Sequence, residues 1–593
     1  MMTQKQLRES ARTGLIGGMV TLCLCMIGIV KAFDGRDIIT DTFTLGQLML
    51  FSGATAVGFL TVNRQKLRTP VALFVNGLVA GLLSGVPTFL LILLSLSWET
   101  MRDSFINVSA DLIAIITFGK ESAVMGGLQL ILVFGGLGLL GALVAVVPGR
   151  VRTAVTTGLV WSLGTGIMSE IVIGILRARL SREAMDKLFG AVGLQLNAFI
   201  GLFILVTIVA YWWRQAGNGQ YARLRENLSP RQRKLSGGLG KTLFIIVLLI
   251  LPSILGVYLS EIFNNVALYI LMGLGLNIAV GLAGLLDLGY VTNFAIGAYV
   301  MALLTSTSEF GLAEPLSFWM ALPICIVAGM TAGFIFALPV LKMRGDYLAI
   351  ATLGFGEIIR ILARSDALKA VIGGAQGILQ VPQAHIAGAF AHFLEAVILP
   401  INTFLERFQL SILTIKDGEI AFGTPPQLYY LLLLCCLLML VVSRRLNNSR
   451  IGRRWMAMRE DEDVAAAMGI NTTNAKVIAF TLSAASGGLA GAIFAAKLGS
   501  IFPQSFQLLI SVNVLSLIIV GGLGSIPGIV VGAFALIGIP ELLREFAEFR
   551  ILLYGIALIV MMLFRPEGLW PSEARKRELA RDEDEPHLAQ ATD

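Results

Sequence analysis

The sequence predicts an all-α protein, a polytopic bundle of about sixteen membrane helices. Three observations carry that reading. Hydrophobic residues make up 56% of the 593 and charged residues 14%, with a mean hydropathy of +0.81, which leaves too few polar groups to coat a globule of this length. Apolar runs of roughly 18 or more residues recur throughout, each long enough to cross about 30 Å of hydrocarbon as a helix, and barrels lack such runs. The 64 glycines suit helices that pack through small residues, because lipid supplies no hydrophobic drive between them.

The first part offers apolar spans near 13–32, 43–62, 70–96, 122–148, 153–176 and 196–214. Lys5, Arg8 and Arg12 precede the first span without a small-x-small cleavage site, so it reads as an uncleaved helix. RQAGNGQYARLRENLSPRQRKLSGGLGK (214–241) reads as a basic cytoplasmic linker closing a domain of residues 1–213. The second part, 242–570, offers spans near 242–260, 266–286, 289–308, 317–341, 346–363, 427–443, 475–496, 507–523, 526–544 and 551–565, followed by a charged tail at 571–593. Between two of them, 365–426 holds a Pro-broken apolar piece, AFAHFLEAVILPINTF, that suits an interfacial or re-entrant helix.

Cations placed by loop put both termini in the cytoplasm. Arg64/Lys66/Arg68, Arg150/Arg152, the linker, Lys342/Arg344, Arg444/Arg445/Arg450/Arg453/Arg454 and the tail all fall inside. One loop disagrees: 177–187, with Arg177, Arg179, Arg182 and Lys187, falls outside. Because the cations lie in short loops, the net charge of +7 reports orientation and gives no sign of nucleic-acid binding.

Several function classes drop out. Cys23, Cys25, Cys325, Cys435 and Cys436 lie in apolar stretches as small hydrophobes, so neither a disulfide framework nor a metal site follows. The three histidines form no metal cluster, and no nucleophile sits beside a base, so catalysis has no support. LSGGLGKT (235–242) fails as a phosphate loop because Leu235 stands where the first Gly belongs and a membrane helix starts at once. No bound cofactor is expected, and any energy from ATP must come from a partner.

Gly77, Gly81 and Gly85, like Gly273, Asn277 and Gly281, stand four apart and share one helix face, which suits helix packing. Polar groups at membrane depth need a partner or a water-filled path, which makes Asn277, Asn293 and Glu357 candidates for lining one; Arg360 offers Glu357 a partner instead. GRRWMAMREDEDVAAAMGINTTNAKVIAF (452–480) interrupts the hydrocarbon differently. Arg453 to Met468 are strong helix formers, Arg459 to Asp463 are five charges in a row, and alanines 465–467 give a slim face ending at Gly469. This predicts a short helix outside the bilayer with a docking surface.

Seven ordered blocks now carry a resemblance. GLNIAVGLAGLLDLGYVTNFAIGAY (275–299), LKMRGDYLAIATLGFGEIIR (341–360), GGAQGI (373–378), the 452–480 stretch, GGLAG (487–491), VGGLGSIPG (520–528) and LFRPEGL (563–569) resemble the permease subunit of branched-chain amino-acid ABC importers, over about 242–570. Urea and short-amide importers resemble the same family. The resemblance implies a half-channel paired with a related second permease, two cytoplasmic ATPases holding ATP and Mg, and an external solute-binding protein, in a bacterial inner membrane. It makes 453–469 the ATPase-coupling helix, with Arg454, Arg459, Glu460, Asp461, Asp463, Ala465, Ala466 and Gly469 at the contact. The family's E-A-A-x-x-x-G pattern survives there only as Asp463-Val464-Ala465 followed by Gly469. Residues 1–240 lie outside the resemblance and are expected to be a peripheral helical domain. Two other classes compete: an ion-coupled secondary transporter, which would concentrate ionisable pairs at midplane, and a membrane scaffold, which would suit the first part only.

Overall fold

A computed structural model describes residues 4–65, 70–97, 105, 107–177, 180–190, 192–226, 230–340, 343, 345–406, 412–413, 419–542, 555, 558–559, 561, 563, 565 and 567–571. The chain divides into two compact units, Met1–Lys241 and Thr242–Asp593. Lys66, Arg68, Arg179, Lys342, Arg344 and the tail from 572 lie outside the described residues, as does most of the predicted span 551–565.

In the first unit, helices α1 (Gln4–Ile27), α2 (Leu45–Gln65), α3 (Pro70–Ser97) and α4 (Ala123–Val146) pack on one another. Their core is Cys25, Leu50, Ile92, Leu112, Leu130 and Phe134, all fully buried. Gly81 is a point of close approach: a Cβ there would run into the Phe134 carbonyl, and one at Gly77 into the Ala142 side chain, so this glycine row is a packing face. Among polar groups, Ser10 Oγ donates to Asn76 Oδ1 at 2.7 Å inside the core. Helices α5 (Gly149–Ile167) and α6 (Ser169–Leu176) bend by 78° between them, and α5 packs on α7 (Leu196–Glu226).

The expected linker is helical backbone at 214–226 and again from 230. Its Gln, Arg, Lys and Leu residues are good helix formers and outweigh its glycines. The helix α8 (Pro230–Asn277) takes in LSGGLGKT, the predicted span 242–260 and the start of the span 266–286, and breaks at Gly256 with φ 71° and ψ −170°, a conformation open to glycine.

The second unit is built around α15 (Thr472–Leu498), which packs against α9 (Tyr290–Thr305) and α10 (Phe318–Val340). A Cβ at Gly491 would run into the Phe294 carbonyl, and one at Gly488 would stand 2.5 Å from that of Cys325, so the three backbones touch. Tyr290 OH and Ser486 Oγ, 2.8 Å apart, join α9 to α15. The remaining long elements are α11 (Asp346–Arg364), α12 (Pro425–Asn447), the pair α13 (Arg450–Glu460) and α14 (Glu462–Ala467), α16 (Leu508–Gly521) and α17 (Ile526–Ala533). The 365–426 region holds the expected Pro-containing helix, Ala389–Glu406, and an antiparallel strand pair, His385–Ile386 with Ile420–Ala421.

Ten described helices are long and apolar enough to cross a membrane, or eleven with the bent α5–α6 pair, against the expected sixteen. The difference has local causes. Span 242–260 and the start of 266–286 merge in α8; α9 has only 16 residues; α11 holds Asp346, Glu357, Arg360 and Arg364; and the stretch after α17 passes through a π-helical turn, Phe534–Gly538.

The contact at Gly488 gives a test. Gly488→Val should cost about 1–3 kcal/mol through overpacking, whereas Gly354→Val on α11, where a Cβ meets nothing within 4 Å, should leave stability nearly unchanged. Thermal unfolding midpoints of the purified protein would decide, and equal shifts would contradict the packing assignment.

Candidate functional site

The charged interruption folds as two helices. Ser449 caps α13 by accepting from the Gly452 N–H at 3.1 Å. Asp461 then turns extended (φ −154°, ψ 116°), and its Oδ1 accepts from the N–H groups of Asp463 and Val464, each at 2.9 Å, which starts α14. The single helix expected over 453–468 is thus corrected to a pair, because an Asp side chain that can take the orphan N–H groups of a first turn competes with helix continuation. Gly469 (φ 85°) ends α14 in the left-handed conformation, and Asn471 caps α15.

Three contacts fix the pair to the bundle. Trp455 is fully buried and its Nε1 donates to the Ala475 carbonyl at 2.9 Å. Lys476, 3% exposed on α15, forms an ion pair with Glu462 at 2.7 Å. Arg459 Nη1 donates to the Gly281 carbonyl at 2.6 Å. Arg459, which stays exposed, thus also holds its own chain, a contact the sequence did not reveal. Trp455, Glu462 and Lys476 were missed, although a lysine inside an Ala-rich apolar helix was a visible signal. Of the other predicted residues, Arg454, Glu460, Asp461, Asp463, Ala466 and Gly469 are exposed, and Ala465 faces inward at 4%. The outer face of α14 also carries Val464 and Met468, 58% and 79% exposed. A cavity of about 850 Å³, lined by Arg444, Asn447, Met456, Arg459, Gly524 and Trp570 among others, opens beside α13.

Arg459 reaches a helix break. After Asn277 the chain makes one π-helical turn, Ile278–Leu282, and is non-helical over 283–289 before α9 starts. Asn277 Oδ1 accepts from the Gly524 N–H at 3.1 Å, which supplies the packing partner expected for that face. Within the break, Asp287 is 3% exposed and accepts from the Gly289 N–H at 3.0 Å.

The three residues proposed for a path are not brought together as one lining. Glu357 pairs with Arg360, whose Nε donates to both carboxylate oxygens at 3.0 and 3.1 Å. Asn277 turns to Gly524, and Asn293 faces a small cavity shared with Asp287.

The family described as "branched-chain amino acid transport system / permease component" matches residues 258–564. The high-affinity branched-chain amino acid transport system permease protein LivM of Escherichia coli (strain K12) is 40% identical over 334 residues, covering 56% of this chain and 75% of that protein. LivM of Salmonella typhimurium is 39% identical over 324 residues, 52% of this chain and 69% of its own length. The permease LivH of Escherichia coli (strain K12) is 24% identical over 330 residues, 53% of this chain and 95% of its own. No solved structure gives a significant match.

If Trp455 clamps the pair, Trp455→Ala should cost about 3–5 kcal/mol locally and speed hydrogen exchange over 450–469 while α9 and α10 stay protected. Unchanged exchange in 450–469 would remove Trp455 from that role.

Proposed function

This chain belongs to the family of branched-chain amino acid transport system permease components, and from that premise we propose that it forms half of the membrane channel of an ATP-driven importer for branched-chain amino acids. It is a multi-pass membrane protein and a transport subunit, not an enzyme. The partners of this reading are a related second permease, two ATPases that hold ATP and Mg, and an external solute-binding protein. Both termini face the cytoplasm, and residues 1–241 form a peripheral addition to the transport unit.

The observation that carries the reading is α14. Six residues cannot hold a helix in water by propensity alone, yet this one is capped at both ends, clamped through Glu462 to Lys476, and turns Val464, Ala466, Ala467 and Met468 outward. Small and apolar residues on a rigid stub allow close insertion into a groove, with Glu460 and Asp463 at the rim to set orientation. An ATPase that pulls this stub moves α15, the central helix of the unit.

Uptake by the assembled complex in vesicles, with leucine, isoleucine, valine, urea and short amides as the panel, tests the substrate. Branched-chain amino acids should accumulate only with ATP; selective uptake of urea or amides would shift the assignment, and uptake driven by an ion gradient without ATP would overturn it. Ala466→Trp should uncouple hydrolysis from uptake, while Asp463→Asn should weaken assembly by only about 0.2–1 kcal/mol. Full uptake and full ATPase stimulation by Ala466→Trp would make 453–469 an ordinary surface connection.

A further inference from the structure

A buried oxygen cluster lies where the chain is broken between α8 and α9. A cavity of about 20 Å³ is lined by Asp287, Thr292, Asn293 and Thr352, with Phe336 and Phe355 among its apolar walls. That is room for one water-sized particle, which needs roughly 10–15 Å³. Asp287, Thr292 and Asn293 are each at least nine-tenths buried, at 3%, 3% and 5% exposure. Thr292 Oγ1 and Asn293 Oδ1 are buried without a hydrogen-bond partner. Asp287 Oδ1 accepts from the Gly289 N–H. Thr352 Oγ1 already donates to the Ala349 carbonyl at 3.0 Å and accepts from the Leu288 N–H at 3.1 Å, so it has no further hydrogen to give.

The cluster is therefore short of donors: the Thr292 hydroxyl has one hydrogen to give, to Asp287 or to Asn293 Oδ1, and whichever oxygen it does not serve stays unpaired. A carboxylate and an Asn Oδ1 cannot satisfy each other, and leaving them unpaired in a dry site is expensive. The side-chain cations beside the break are engaged: Arg360, which lines a cavity with Thr292, pairs with Glu357, and Arg459 donates to the Gly281 carbonyl. The facing helix α10 has no charged residue.

We propose that Asp287, Thr292 and Asn293, with Thr352 beside them, form a binding site for a single small monovalent cation, sodium by size. Oxygen donors alone select a hard cation. A single carboxylate balances a charge of one, whereas divalent ions draw on more acidic ligands; among the described residues no group of three His, Cys, Asp or Glu could hold a metal ion. The site also lies where membrane proteins admit cations, in irregular backbone enclosed by protein at a helix break. A lone water could donate two hydrogens but would leave the buried charge uncancelled. The bound ion would pin the 283–289 stretch to the first turn of α9 and to α11 through Thr352, holding together the break that Arg459 grips from the other side.

Binding is read on the purified full chain, apart from any transport assay, so it stands or falls independently of the importer assignment. Radioactive sodium should be retained saturably and displaced by unlabelled sodium chloride but not by choline chloride. The thermal unfolding midpoint should be higher by about 2 °C or more in sodium chloride than in choline chloride at equal ionic strength. Asp287→Asn should abolish both effects. Thr292→Val, which keeps the shape and removes one oxygen, should weaken sodium binding about tenfold, the equivalent of one lost contact of ordinary strength. Retention by the wild-type chain no greater than the background left by excess unlabelled sodium chloride would mean that the cavity holds only water or a proton on Asp287, and the proposal would be overturned. Sodium binding unchanged in Thr292→Val and in Asp287→Asn would overturn it as well.

Discussion

Backbone groups that leave a helix at membrane depth must find partners inside the protein, and the second unit is organised around one place where that requirement is met. Between Leu282 and Tyr290 the chain gives up its helical bonds. The Gly281 carbonyl is taken by Arg459, the Leu288 N–H by Thr352, the Gly289 N–H by Asp287 and the Val291 N–H by Ser511. Three elements, α13, α11 and α16, thus converge on one break, and Asp287 within it supplies the fourth bond. Remove any of them and a buried donor or acceptor is stranded at a cost of about 1–3 kcal/mol. The break is held from all sides and is a fixed feature of the fold.

The same contacts explain how an exposed segment can act on a buried one. The pair α13–α14 is joined to α15 through Trp455 and the Glu462–Lys476 ion pair, and to the break through Arg459. α15 in turn meets α9 and α10 backbone to backbone at Gly491 and Gly488. Contacts of that kind have no side-chain slack, so displacement of the pair cannot be absorbed by rotamer changes and must move the helices or break their packing. Small residues are what make the second unit stiff, and stiffness suits a part that is pulled from one end.

How much of this was legible in the sequence depended on the kind of signal. Apolar length placed α2 to α4, α10, α12 and α15 within a few residues, because a run long enough to span lipid has few other uses; α1 begins nine residues before the expected 13, since its polar first turns are helical too. It failed where a span is interrupted: Gly256 and the 278–289 break divide the stretch 242–286 differently from the two spans expected, since glycine and a π-helical turn leave hydropathy almost unchanged. The glycine row at 77, 81 and 85 was read as packing and packs on α4. The charged interruption was read as one helix because propensity is summed over a window, whereas Asp461 ends a helix through a single side-chain geometry. The bond from Arg459 to residue 281 was not legible for a related reason, for only the fold brings the two to within 2.6 Å. Asp287 drew no notice at all, because nothing local distinguishes an acid in a solvated turn from one sealed at a helix start.

That last distinction bears on what the acid is for. A carboxylate three residues before a helix start gains from the N-terminal end of the helix, and the Gly289 N–H bond is the expected expression of this. Such a role needs no burial, however, and is ordinarily filled at the surface where water completes the remaining bonds. Here the acid is sealed with Thr292 and Asn293 on the first turn of the same helix, so the oxygens a solvated cap would give to water are turned inward together. Helix capping accounts for one lone pair of Asp287 and leaves its other oxygen, and those of its two neighbours, to whatever occupies the cavity.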